Sequence, residues 1–167
     1  MSDIFCETIV KKKVTSQDLM KKVLAIVISA LLIAIGILFI PFFSLIIIMV
    51  VVAFDYFFFK RLNIEYEYAL TMTDLDVAKI MSKEKRKQLM TLDLKQADII
   101  APVNHPKVKD VISQGMKVVD CSSGEAGRKV YTVVTKQDGK MIQLLFEPSE
   151  TMIKGIRTQF PSKTILE

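Results

Sequence analysis

A run of apolar residues from Val23 to Phe59 constrains the fold of this chain more than any other feature. Its only clearly polar residues are Ser29, Ser44 and Asp55. As one helix the run would extend roughly 55 Å, whereas the hydrocarbon core of a bilayer is about 30 Å thick. The run is therefore too long for a single membrane span.

Pro41 divides this run into two halves. Each half has about 18 residues, which is just enough to cross a membrane as a helix. Proline lacks a backbone N–H and disfavours helix in the residue before it. The sequence therefore predicts a two-helix transmembrane hairpin, with helices over about 23–40 and 42–59 and a tight turn between them.

Basic residues flank both outer ends of the predicted hairpin, whereas its turn carries no charge. The flanking residues are Lys11, Lys12, Lys13, Lys21 and Lys22 before the first span, and Lys60 and Arg61 after the second. Because flanking Lys and Arg residues favour the cytoplasmic side, we expect a multi-pass protein of the cell membrane with both termini in the cytoplasm. The late start of the apolar run is unlike a cleavable signal peptide.

Asp55 is the one acidic residue in the predicted spans. An ionisable group inside a membrane marks a functional site by default, for example a proton or ion relay. Asp55 also lies close in sequence to Lys60 and Arg61, and its cost of insertion is at most roughly 3 kcal/mol. The favoured interpretation is therefore an interfacial role for Asp55, Lys60 and Arg61, with the relay as the alternative.

The chain after Arg61 has the pattern of a small β domain closed by a helix. "NIEYEYALTM" alternates apolar and polar residues, which indicates a half-buried strand. About seven short strands are predicted, including a hairpin that turns at Asp138-Gly139, and a short helix is predicted within "HPKVKDVISQG". In "PSETMIKGIRTQF", Ser149 starts an amphipathic helix whose apolar stripe includes Ile156.

This order of elements resembles a bacterial pleckstrin-homology-like (PH-like) domain, and "EYALTMTDLDVAKI" carries the rhythm of its first strand pair. The chain is also similar to an uncharacterised family of small two-span membrane proteins of Firmicutes, through "FCETIVKKK", "NIEYEYALTMTDLDVAKIMSKEKRK" and "LLFEPSETMIKGI". The resemblance implies an α+β chain in which a transmembrane hairpin is followed by a PH-like antiparallel β barrel or sandwich capped by a C-terminal helix. It implies no activity.

The expected domains are a cytoplasmic N-terminal segment (1–22), the membrane hairpin (23–59) and the cytoplasmic β domain (60–167). No residue pattern indicates an enzyme, a metal site, a cofactor or a nucleic-acid partner. His105 lacks a partner histidine and is interpreted as a residue of a turn or helix start, and Cys121 as a packed strand-end thiol. Cys6 and Cys121 have no framework spacing and are expected to be free thiols.

The best candidate for binding is the basic segment "KEKRK", which provides Lys83, Lys85, Arg86 and Lys87. It falls between two predicted strands and is expected to form an exposed loop that contacts anionic lipid headgroups or a protein partner. The competing interpretation is a solvated loop tip that protects a sheet edge. The sequence thus favours a non-enzymatic, membrane-anchored interaction module, and the alternative is an accessory subunit that acts through its transmembrane helices.

Overall fold

The computed structural model of the protein describes residues 5–113, 115–137 and 139–166. These residues form eight strands and four α-helices. In chain order they are β1 (Phe5–Lys11), α1 (Ser16–Phe39), α2 (Ser44–Leu62), β2 (Ile64–Thr71), β3 (Asp74–Met81), β4 (Lys85–Asp93), β5 (Ile99–Pro102), α3 (Pro106–Val111), β6 (Lys117–Asp120), β7 (Tyr131–Gln137), β8 (Lys140–Phe146) and α4 (Glu150–Gln159).

Helices α1 and α2 form the predicted hairpin, and both are long and apolar enough to cross a membrane. A single 3-10 turn, Pro41–Phe43, joins them. Helix α1 starts at Ser16, earlier than the apolar run, because Thr15 and Asp18 form a capping box in which the Thr15 hydroxyl accepts from the Asp18 backbone N–H. The predicted pair of helices with a turn at Pro41 is confirmed.

A polar contact and a close apolar contact help to hold α1 against α2. The Ser29 hydroxyl donates a hydrogen bond to Oδ1 of Asp55, with 2.8 Å between the oxygens. Nearer the turn, Gly36 faces Ile47 so closely that a Cβ atom on Gly36 would lie 3.0 Å from the Ile47 Cδ1 atom. Small residues at the crossing and one polar pair are typical of helices that associate in a membrane.

Strand β1 lies before the hairpin but pairs with β2, which follows it. The first sheet has the order β1-β2-β3-β4 and is antiparallel throughout, with Thr8 opposite Tyr68. At the base of the hairpin the Lys12 N–H donates to the Ile64 carbonyl oxygen over 3.0 Å. The hairpin is therefore inserted between two neighbouring strands, and residues 5–11 belong to the β domain rather than to the separate N-terminal segment expected from the sequence.

The second sheet has the order β5-β7-β8-β6. Its β5–β7 and β7–β8 pairs are antiparallel, as expected from the sequence, and its short β6–β8 pair is parallel. The hairpin between β7 and β8 is confirmed, with Gly139 at a φ of 77°, and Asp138 of its turn lies outside the described residues. Helix α3 is shorter than predicted, and Gln114 at the predicted helix end is likewise outside the described residues.

The core lies between the two sheets and α4. Tyr68 of β2 packs edge-to-face on Phe146 of β8, with ring centroids 5.7 Å apart. Ser149 caps α4, whose Met152 and Ile156 are fully buried in the same cluster. The seven predicted strands after the hairpin and the closing helix are confirmed, and the chain is an α+β protein.

We expect residues 14–62 to be replaceable by a four-residue Gly-Ser loop without loss of the β domain. The reason is that Lys12 and Ile64 already lie within hydrogen-bond distance of each other, so the loop closes a short gap. The joined chain should be soluble and melt cooperatively by circular dichroism.

Ile156→Asp in the joined chain is the control, because it places an unpaired charge at a side chain that is 0% exposed. This variant should lose the cooperative transition. A joined chain that is unfolded, or one that melts identically with Ile156→Asp, would contradict the described core.

Candidate functional site

The turn between β3 and β4 packs directly on the end of helix α2. The Ser82 N–H donates to the Asn63 carbonyl oxygen over 2.9 Å, and the Ser82 hydroxyl donates to the Lys60 carbonyl. Lys60 forms an ion pair with Glu84 in the same turn. These contacts fix the turn beside the point where the chain leaves the hairpin.

The backbone of this turn is strained. Ser82 and Lys83 have φ angles of 53° and 60°, in the left-handed region that side chains other than glycine rarely adopt. Such residues cost of order 1–3 kcal/mol each and persist where the surroundings hold them. Here the hydrogen bonds from Ser82 and the Lys60–Glu84 pair supply that support.

The structure corrects the expectation that Lys83, Lys85, Arg86 and Lys87 form a loop. Only Lys83 lies in the turn, since β4 begins at Lys85. All four side chains are exposed. Their binding role stays a prediction.

Arg86 differs from the three lysines because it has an acidic partner. Its guanidinium crosses the outer face of the first sheet and pairs with Glu67 of β2, which is only 7% exposed. A nearly buried carboxylate needs such a counter-charge. Arg86 therefore contributes less free charge to the surface than sequence alone indicated.

Two further basic segments meet the hairpin at the same end of the domain. The Lys13 N–H donates to the Ser123 carbonyl oxygen over 2.8 Å, which ties the segment after β1 to the loop after β6. Arg61 is exposed at the end of α2. We call the combined surface the basic base; it consists of Lys11, Lys12, Lys13, Lys60, Arg61, Lys83 and Lys85.

Asp55 lies inside the hairpin rather than on this surface. It accepts the hydrogen bond from Ser29 and borders an apolar groove of about 490 Å³ between the two helices. Lys60, one turn further along α2, points to Glu84 instead and lies 5.5 Å from the ring centroid of Tyr56. The sequence favoured an interfacial role for Asp55 and did not identify Ser29 as its partner, because nothing in the sequence gives the rotation of two helices about each other. That role stays a prediction.

His105 and Cys121, which the sequence analysis considered for catalysis, lie at a helix start and in the core. His105 starts α3, where its Nδ1 accepts from the Lys107 N–H over 3.3 Å, as the helix-start interpretation predicted. Cys121 is 1% exposed, and burial together with the negative charge of Asp120 raises the pKa of its thiol to about 11. A thiol with such a pKa is almost entirely protonated at neutral pH and is a poor nucleophile.

Cys121 should react with maleimide far more slowly in the folded chain than in urea at pH 7. The thiol pKa rises from its model-compound value of 9.0 to about 11, which alone lowers the thiolate fraction about a hundredfold. Ionisation favours the unfolded chain, so the contribution of this thiol to stability is complete below pH 9 and is lost as the pH rises towards 11. Labelling a Cys6→Ser variant by mass spectrometry measures the rate, and equal rates in buffer and urea would contradict the buried position.

The comparison with known proteins agrees with the fold. No curated protein and no solved structure matches the chain. The sequence profile of a family described as bacterial PH-like domain (DUF6106) matches residues 2–166, a range that includes β1 and the hairpin as well as the strands after it. The narrower similarity to two-span proteins of Firmicutes stays a prediction. The chain belongs to this bacterial PH-like domain family.

Proposed function

We propose that the protein is a non-enzymatic, membrane-anchored module whose PH-like domain is held at the cytoplasmic face of the cell membrane. The observation that carries this proposal is the attachment of the domain to the hairpin at two places. Helix α2 and strand β2 are separated by Asn63 alone, and β1 joins α1 through residues 12–15. With both spans in the bilayer, the basic base lies at the level of the lipid headgroups.

The chemistry of the basic base suits anionic lipids. Each Lys or Arg close to an anionic leaflet contributes about 1 kcal/mol, and the attraction decays within a Debye length of about 8 Å at physiological salt. Lys83 and Lys85 are exposed and have no ion pair within the described residues. The positive charges of Lys83 and Lys85 are therefore available to lipid headgroups.

Tethering reduces the intrinsic affinity that such contacts need. A domain joined to its anchor by so short a connection experiences a high effective concentration of headgroups. Millimolar intrinsic binding then suffices to fix the orientation of the domain on the membrane. In this proposal the base sets that orientation, and the remaining surface of the domain is presented to the cytoplasm.

A second candidate function is that of an accessory subunit in a membrane complex. The groove between α1 and α2 favours it, because its walls are apolar except for Lys21 at one end and the Ser29–Asp55 pair. A partner helix that carries a hydrogen-bond donor would fit this groove. In that case the spans, rather than the base, would be the binding surface.

Changing Lys83 and Lys85 to Gln should weaken binding of the joined, hairpin-free domain to anionic vesicles. Two lost charges correspond to about 2 kcal/mol, or roughly thirtyfold at low salt. Binding should also decline across a salt series, since screening shortens the range of the attraction. Co-sedimentation with phosphatidylglycerol vesicles, with phosphatidylcholine vesicles for comparison, measures both effects.

The matched control is Lys136→Gln with Lys140→Gln, which removes the same charge from the far end of the β7–β8 hairpin. This variant should bind nearly as well as the parent. If both double variants bind equally, net charge rather than the base determines binding, and the accessory-subunit function becomes the preferred one. Arg86 is left unchanged, because its removal would leave Glu67 without its counter-charge.

A further inference from the structure

The open edge of β1 differs from the other three sheet edges. β4 carries three consecutive basic residues and lies beside a register shift, and β6 has only four residues. The edge of β5 is covered by the C-terminal tail, since the Ile100 N–H donates to Lys163 and the Ile165 N–H donates to Ile100. Charges, short strands and coverage are the ordinary protections of an edge against pairing with another chain.

β1 has less of this protection. It is seven residues long, and on its outer face Phe5 is 69% exposed and Ile9 is 55% exposed. Glu7 and Lys11 are its only charged residues. Among the edges in the described part of the chain, it is the one that combines length with exposed apolar side chains.

The direction of the backbone groups of β1 follows from one hydrogen bond. The Lys12 N–H points to β2, where it meets Ile64, and the register of β1 on β2 is continuous. In an antiparallel pair, alternate residues point their N–H and C=O groups to the same neighbour. The groups of Glu7, Ile9 and Lys11 therefore point away from β2, towards the open edge.

The first bond on that outer side is already made. The Lys13 N–H, next in the same alternation, donates to the Ser123 carbonyl oxygen. Beyond it the edge borders a cleft of about 650 Å³, whose other walls are the loop 123–131, the start of α4 and Leu166. The cleft thus lies beside an unfinished hydrogen-bond ladder.

The charges around the cleft are unevenly matched. Arg128 pairs with Glu125, Lys154 pairs with Glu150, and the Glu147 carboxylate accepts from the Ser123 N–H and hydroxyl at 2.7 Å. Lys11 and Lys129 are exposed, and neither has an ion pair within the described ranges. The exposed charges at this cleft without an ion pair among the described residues are therefore positive, whereas Glu147 is nearly buried and bonded to Ser123.

We propose that an extended segment of a protein partner adds to the edge of β1 as a fifth strand of the first sheet. Its main chain bonds to Glu7, Ile9 and Lys11, as in other cases of strand addition. Its side chains are apolar where they adjoin Phe5 and Ile9 and acidic where they approach Lys11 or Lys129.

A second copy of this chain fits the edge less well. The hairpin is attached at the Lys11 end of β1, and antiparallel self-pairing reverses the strand direction. The two hairpins would then leave the paired strands at opposite ends. A separate extended segment has no such constraint.

The test uses the full chain in nanodiscs and a display library of random twelve-residue peptides. Peptides are selected against the parent chain and counted against Ile9→Pro, which removes an outward N–H that β2 does not use. We expect enriched peptides to alternate apolar and acidic residues and to lose at least tenfold in affinity for Ile9→Pro. Ile9→Ala keeps the N–H and should lose much less.

Val10→Pro is the structural control, because the Val10 N–H bonds to β2 and its loss should lower the melting temperature, whereas Ile9→Pro should leave the fold intact by circular dichroism. Peptides that bind parent and Ile9→Pro equally, or a library with no enrichment on the parent, would overturn the proposal. So would disulfide-linked dimers of a Cys6→Ser, Ile9→Cys chain at low protein-to-lipid ratio, since a second copy would then occupy the edge.

Discussion

The pairing of β1 with β2 is the interaction on which the rest of the structure depends. These strands are neighbours in a sheet, yet two helices of 24 and 19 residues separate them in the chain. The pairing is possible only if the second helix returns the chain to within hydrogen-bond distance of the start of the first. The turn at Pro41, the Ser29–Asp55 bond and the close approach at Gly36 together meet that requirement.

This arrangement ties the orientation of the domain to that of the hairpin. A domain on one flexible linker rotates freely, whereas two connections at neighbouring strands restrict rotation about both. The docking of the β3–β4 turn on α2 adds a third contact at the same place. The basic base and the open edge of β1 therefore have fixed positions relative to the helical hairpin.

Local signals predicted much of this fold. The hairpin followed from the length of the apolar run and from Pro41, and the β7–β8 hairpin and α4 followed from turn residues, a helix cap and periodicity, all of which act between residues close in sequence. β1 was not predicted, because its short alternation, "FCETIVK", precedes a lysine run. It forms a strand by pairing with β2, which lies more than fifty residues away in the chain. The parallel pairing of β6 and the Arg86–Glu67 pair also depend on long-range packing, which no local pattern encodes.

The sequence predicted which basic residues belong to the candidate site but not how they are arranged in space. The basic segment was identified by charge alone, but its division into a turn lysine, strand lysines and a paired arginine depends on where β4 begins and on the neighbour that β2 provides. The edge of β1 carries no sequence motif. It stands out because it lacks the charges, short length or covering segment that protect the other sheet edges. That comparison requires the topology of both sheets.

Disulfide trapping in the membrane tests the pairing of β1 with β2 most directly. Glu7 and Ala69 are opposite each other in a pair without mutual hydrogen bonds, where side chains are closest. In a Cys6→Ser, Cys121→Ser chain, cysteines at 7 and 69 should form a disulfide in native membranes on mild oxidation, whereas cysteines at 7 and 65 should not. After proteolysis within the hairpin, the two fragments should stay linked until reduction. Failure of the 7–69 pair to link, or equal linking by both pairs, would contradict a PH-like domain whose first two strands are separated in the chain by a helical hairpin.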